Sequence, residues 1–207
     1  MLKLPKHTEF KKDIPKNSFQ SFITSKQKKW LTEEVEKIQW THKLSPETIQ
    51  LAAKSGQEIQ VIQIVFRSIK HADDIVKIIE SLIPYQLIVV QCFKYQQRLS
   101  ASCKHPHSSK EHESVIDWTF NSDWFHDELN PYELTLKNSL DDVYDNFCFQ
   151  LSGRFDLPLN ELVAVEKETK KLLNKIGRLE TKIQKTTQFN EKVKIDQELQ
   201  KLKTNVS

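Results

Sequence analysis

The sequence predicts an α+β or α/β protein: a small mixed β-sheet with covering helices, followed by a C-terminal antiparallel helical hairpin. Three observations carry that prediction. Glu58–Ser68 (EIQVIQIVFRS) and Tyr85–Tyr95 (YQLIVVQCFKY) are apolar runs of strand length separated by a helix-patterned segment. Leu162, Val165, Thr169, Leu172, Ile176, Leu179 and Ile183 recur at alternating spacings of three and four, a heptad seam. Only three glycines and 29% charged residues among 207 also point to long charged helices over part of the chain.

Each element can be justified in turn. Residues 1–20 are rich in lysine, and Pro5 and Pro15 keep the residues before them extended. Between Ser25 and Gln39, Trp30, Leu31, Val35 and Ile38 approximate a helical stripe. Ser45, Pro46 and Glu47 suit the cap and first turn of a short helix. In the first strand Ile62, Ile64 and Phe66 share a face. A helix follows, with Asp73 and Asp74 in its first turn and Ile75, Ile78, Ile79 and Leu82 on one side, before Pro84. Tyr85–Tyr95 is apolar on both faces and so central in the sheet. RLSASC is a third strand with Leu99, Ala101 and Cys103 alternating, and SVIDWTF a fourth with Ile116, Trp118 and Phe120 inward. This order implies a two-layer α/β unit.

Ser122–Tyr132 reads as an irregular aromatic segment. Ser139 and Asp142 then open a helix whose buried side is Leu140, Val143, Tyr144, Phe147 and Leu151, and Gly153 ends it. The heptad seam breaks over Lys185–Asn190 and resumes with Val193, Ile195, Leu199, Leu202 and Val206. Two helices of about 24 and about 16 residues, about 36 and 24 Å long, follow from that break. The expected division is a basic extended arm over 1–24, an α/β body over 25–157 and the coiled-coil hairpin over 158–207.

Charge is segregated behind the formal net of +3. Residues 1–30 carry eight lysines against two acids, and residues 161–207 carry eleven basic residues against seven acids. The segment between is acidic, so both basic ends can steer an anionic partner. Three cysteines, Cys92, Cys103 and Cys148, fit a reduced intracellular protein rather than a disulfide framework. No apolar leader core and no window of about eighteen apolar residues is present, so a cytoplasmic chain with no membrane partner is expected.

The motifs of common catalytic sites are missing. There is no phosphate-binding glycine loop, dinucleotide fingerprint, zinc-protease helix motif or nucleophile elbow. Two Glu-x-Lys triplets, Glu168–Lys170 and Glu180–Lys182, fall in the hairpin as solvated charges. Asp73/Asp74 and Asp141/Asp142 answer helix dipoles. His126 beside Asp127 lacks a nucleophile or an oxyanion device. No catalytic residue and no cofactor is therefore expected.

SASCKHPHSSKEHES is the one stretch with metal-ligating side chains close together: Cys103, His105, His107 and His112. Zinc prefers paired ligands from two separate elements, and here all four lie on one short segment with no second cluster elsewhere. The favoured reading is a soluble loop between two strands. A metal-dependent hydrolase built on it is the least favoured function.

Partner binding is better founded. Lys170, Lys171, Lys175, Lys182, Lys185 and Lys192 line the hairpin, and Gln188, Phe189 and Asn190 form its tip, where an aromatic can anchor a partner. Lys3, Lys6, Lys11, Lys12 and Lys16 in the basic arm, with those hairpin lysines, make a nucleic-acid-binding module the alternative.

Several segments resemble the bacterial family called domain of unknown function 4391. They are LPKHTEF (Leu4–Phe10), IPK (Ile14–Lys16), IQWTHKLSPETI (Ile38–Ile49), IPY (Ile83–Tyr85) and QFNEKV (Gln188–Val193), spread in order over nearly the whole chain. Thr41 and His42 stand where family members typically carry Leu-Tyr. The resemblance implies no reaction. It implies association with helicases and DNA methyltransferases in restriction-like or phage-defence settings. The reading it favours is a non-enzymatic accessory subunit that docks to a helicase, a methyltransferase or a second copy of itself.

Overall fold

The computed structural model describes residues 2–53, 58–109 and 114–204. The chain divides into two units, Met1–Leu159 and Asn160–Ser207.

The first unit is built on one sheet of seven strands among the described residues: β1 (Glu9–Asp13), β2 (Val35–Leu44), β3 (Ile59–Phe66), β4 (Gln86–Phe93), β5 (Gln96–Pro106), β6 (Ser114–Asn121) and β7 (Phe125–His126). The strands from β1 to β6 lie side by side in sequence order, and β7 pairs with β5. Every pairing is antiparallel except β3 with β4. That parallel pair needs a crossover, which α3 (Ala72–Ser81) supplies. β4 lies between β3 and β5, and Leu87, Ile88, Val89 and Val90 are all buried, as a centre strand apolar on both faces requires.

Local chemistry sets the helix ends. Thr24 caps α1 (Ser25–Glu34) in a reciprocal box: its hydroxyl accepts from Gln27 N–H at 3.3 Å, and Gln27 Oε1 accepts from Thr24 N–H at 2.8 Å. α2 (Pro46–Ile49) has proline at its first position and ends on Gln50 at φ 57°. In α4 (Leu140–Ser152), Ser139 accepts from Asp142 N–H at 3.2 Å and donates to its carboxylate at 2.5 Å. Gly153, at φ 69°, ends α4 in the left-handed conformation that glycine adopts without penalty.

One core lies between α1, α3 and the sheet, where Leu31, Ile38, Ile62, Ile64, Ile75, Ile79 and Val89 pack together. The opposite face is also covered. Ser102 turns toward α3, where it meets Glu80, and its neighbour Cys103 turns toward α4, where it meets Cys148. Successive strand residues point to opposite faces, so α3 and α4 lie on opposite sides of the sheet.

Three expectations need correction. The helix read over Ser25–Gln39 stops at Glu34, and the chain continues as β2. Val35 and Ile38 are buried there through pairing with β3, a tertiary gain that outweighs a weak helical stripe. β5 runs past Cys103, so Lys104–Pro106 is the end of that strand, paired with β6, rather than part of a loop. Helices cover both sheet faces rather than one, because β4 is apolar on both faces and β5 adds Leu99 and Ala101 to the second.

The second unit is helical. α5 (Leu159–Lys185, which begins at the unit boundary) runs 27 residues and α6 (Phe189–Thr204) 16. Ile176, Ile195 and Leu199 are buried, and Thr169, Leu172, Leu179 and Ile183 half-buried, along the heptad seam. Val165 departs from it, 39% exposed. Ion pairs join the two helices, Lys175 to Glu198 at 2.7 Å and Lys182 to Glu191 at 3.2 Å, in the register of an antiparallel hairpin.

Candidate functional site

The densest polar chemistry in the first unit lies where α3 ends against β5. Glu80, on the last turn of α3, is fully buried, and its Oε2 accepts a short hydrogen bond from the Ser102 hydroxyl. Ser102 Oγ also lies 2.7 Å from Thr119 Oγ1 on β6. The other carboxylate oxygen of Glu80 makes no hydrogen bond among the described residues. Burial pushes the Glu80 carboxyl up to about 7, with Ser102 and the Lys104 ammonium opposing. Lys104 reaches back from β5 and donates to the Glu80 carbonyl at 3.1 Å and to the Ile83 carbonyl. It thereby satisfies carbonyls that the end of α3 leaves open, on the favourable side of the helix dipole. Burial draws the Lys104 ammonium down to about 8, with Glu80 opposing.

Tyr144 of α4 closes this cluster from the other face. The last registered pair between β4 and β5 is Ile88 with Ala101. Beyond it, the Tyr144 hydroxyl takes the place of ladder partners: it lies 3.0 Å from the Leu87 carbonyl and 3.1 Å from the Ser102 carbonyl, and it accepts from Ser102 N–H at 3.1 Å. A cleft of about 250 Å³ opens beside it, lined by Gln86, Ser102, Cys103, Lys104, Asp141 and Tyr144. Ser102 itself is 1% exposed, so its hydroxyl is a structural hydrogen-bonding group, out of reach of a reactant in the cleft.

A second clasp lies at the start of α3. Glu34 closes α1, and its carboxylate accepts from His71 N–H at 3.0 Å and lies 2.5 Å from His71 Nδ1. Trp30 stacks on the His71 ring at 4.3 Å. These contacts tie the end of α1 to the start of α3.

The Cys/His segment does not assemble a chelate. Cys103 faces α4, His105 Nδ1 lies 2.6 Å from Asp117 on β6, and His107 accepts from Ser109 N–H at 3.2 Å. His112 lies outside the described residues. Among the described residues no group of three or more His, Cys, Asp or Glu side chains lies close enough to hold a metal ion. His105 is engaged by Asp117, and His107 lies beyond the end of β5.

On the hairpin, Lys175 and Lys182 are spent on the ion pairs between α5 and α6, and Lys171 pairs with Glu168 at 3.2 Å within α5. Lys170 also has a partner. Lys185 and Lys192 make no ion pair among the described residues, and they flank the tip. Gln188 immediately precedes α6, its carbonyl accepting from Lys192 N–H at 3.1 Å. Phe189 is 76% exposed, with Val193 one turn away and 40% exposed, and Asn190 is exposed beside them.

The Glu80–Ser102–Lys104–Tyr144 cluster was not legible from sequence spacing. Its one signal is Glu80, a charged residue between Ile79 and Leu82 on an otherwise apolar stripe. No helix among the described residues is long and apolar enough to cross a membrane. No curated protein and no solved structure matches the chain. The family model described as domain of unknown function DUF4391 does match, over residues 2–206, and the chain belongs to that family.

Proposed function

We propose that the protein is a non-enzymatic docking subunit whose hairpin tip engages a protein partner. One observation carries the reading: Phe189 is 76% exposed at the turn of the hairpin, beside Val193. A large aromatic held out on a two-helix stalk has the character of an interface anchor, because such residues supply most of the binding energy when a partner pocket excludes water. Lys185 and Lys192 flank the apolar pair, so the matching surface is an apolar pocket rimmed by carboxylates. The setting, a DNA-processing or phage-defence assembly with a helicase or methyltransferase as the docked protein, rests on family association. The ion pairs at Lys175 and Lys182 reduce the charge left for phosphates, which favours protein docking over nucleic-acid binding.

Tagged full-length protein and its Phe189→Ala variant, each taken through a native lysate with and without nuclease, test this. A partner retained after nuclease by the wild type and weakened about tenfold or more by the variant supports the docking role. Equal capture by both proteins overturns the tip assignment. Loss of every partner with nuclease would make the chain a nucleic-acid-binding module instead.

A further inference from the structure

One corner of the first unit presents large apolar side chains to solvent. Lys94 and Tyr95 form the turn between β4 and β5, and Lys94 adopts φ 54° there. Tyr95 is left 76% exposed. The turn is held against the segment that follows β6: Asp127 N–H donates to the Tyr95 carbonyl at 3.0 Å, and β7 pairs with Gln96 and Gln97. Leu129 ends the single helical turn Asp127–Leu129 and is 73% exposed. Phe125 and Tyr132, with ring centroids 5.8 Å apart, hold the two ends of this segment together. The rim is acidic. Asp127 lies 3.3 Å from His126 Nδ1, whereas Asp123 and Glu128 are exposed and make no ion pair among the described residues. Lys94, the neighbouring cation, holds its ammonium 5.2 Å from the Phe93 ring.

We propose that this corner receives the hairpin tip of a second copy of the chain, so that copies join head to tail. The inference rests on the docking role given to the tip above and assigns that tip a partner on the chain itself. The two surfaces are complementary in both respects that matter. Phe189 and Val193 of the tip meet Tyr95 and Leu129 of the corner, removing apolar and aromatic surface from water on both sides. Lys185 and Lys192, exposed beside the tip, meet Asp123 and Glu128 at the rim. Tip and corner are different surfaces, so the contact is heterologous: each copy uses its tip on one neighbour and its corner on another. The last tip of such an array stays open to another protein. A contact made by one turn of helix falls in the transient class, below about 1,200 Å² of buried surface, so the association is weak and its rim charges make it sensitive to salt.

The test is sedimentation velocity of purified full-length protein at low salt, at about 10 and about 100 μM. The wild type should sediment faster at the higher concentration. Phe189→Ala, which loses the tip, and the double variant Tyr95→Ala with Leu129→Ala, which loses the corner, should each associate about tenfold or more weakly. All three side chains are exposed, so the changes leave the cores intact. Mixing the two variants is the decisive arm. Each keeps the half that the other lacks, so the mixture should form a dimer and grow no further. A wild type that stays monomeric at both concentrations, association that either variant leaves unchanged, or a mixture that fails to pair would each overturn the proposal. Its failure is separable from failure of the tip reading: a monomeric wild type whose capture of a lysate protein is lost in Phe189→Ala rejects the second copy as partner and leaves the tip as the docking site.

Discussion

Glu80 occupies a position that the apolar stripe of α3 turns inward, and its charge has to be managed there by Ser102, Thr119 and Lys104. The ordinary carboxyl value is 4.5, and burial raises it to about 7 in the folded protein. Between those values the native state holds a proton that the unfolded chain has released. The contribution of Glu80 to stability is therefore full at low pH and falls as pH rises through about 7. Glu80→Gln keeps the shape and removes the titration. Urea denaturation of both proteins at about pH 5 and about pH 7 should show the wild type losing about 2 kcal/mol more than the variant over that interval. Identical pH dependence in the two proteins would mean that Glu80 ionises as an exposed carboxyl does.

Among the elements, the joint between α4 and the central strands is the most exacting. A single phenol hydroxyl bridges β4 and β5 where their own ladder has ended, so Tyr144→Phe leaves the Ser102 N–H and the Leu87 carbonyl without that partner. Buried groups stripped of a partner cost about 1–3 kcal/mol, and the denaturation midpoint should fall accordingly. The Ser102 amide should also exchange with solvent faster, and unchanged exchange there would show that the bridge is not what holds the strands. The β2 segment shows the opposite kind of dependence. Its apolar residues fit a short helix or a strand almost equally well by spacing, and only pairing with β3 on one side and β1 on the other selects the strand.

For the whole molecule, the division into a sheet-bearing unit and a helical hairpin gives each its own probe. Trp30, Trp40, Trp118 and Trp124 all lie in the first unit, while α5 and α6 hold more than half of the α-helical residues described. Ile176→Asp places a charge on the buried seam of the hairpin, with no partner supplied for it. The helical circular dichroism signal should drop by roughly half in that variant. The tryptophan fluorescence transition, which reports the sheet, should keep its midpoint. A matching collapse of both signals would show that the two units unfold as one.

What the sequence by itself determined were the features written in local periodicity. The alternation in β3, the two-sided apolar run of β4, the first-turn acids of α3, the cap of α4 and the heptad seam of α5 are each set by residues close in the chain, so spacing reveals them. Tertiary structure decided what depends on partners far apart in sequence. It made Val35–Leu44 a strand, carried β5 on to Pro106, brought Ser102 and Lys104 to Glu80, and put the Tyr144 hydroxyl between Leu87 and Ser102. The physical reason is the same in each case: a buried polar group or a strand edge is stable only when a distant residue satisfies it, and one-dimensional spacing does not encode which residue that is.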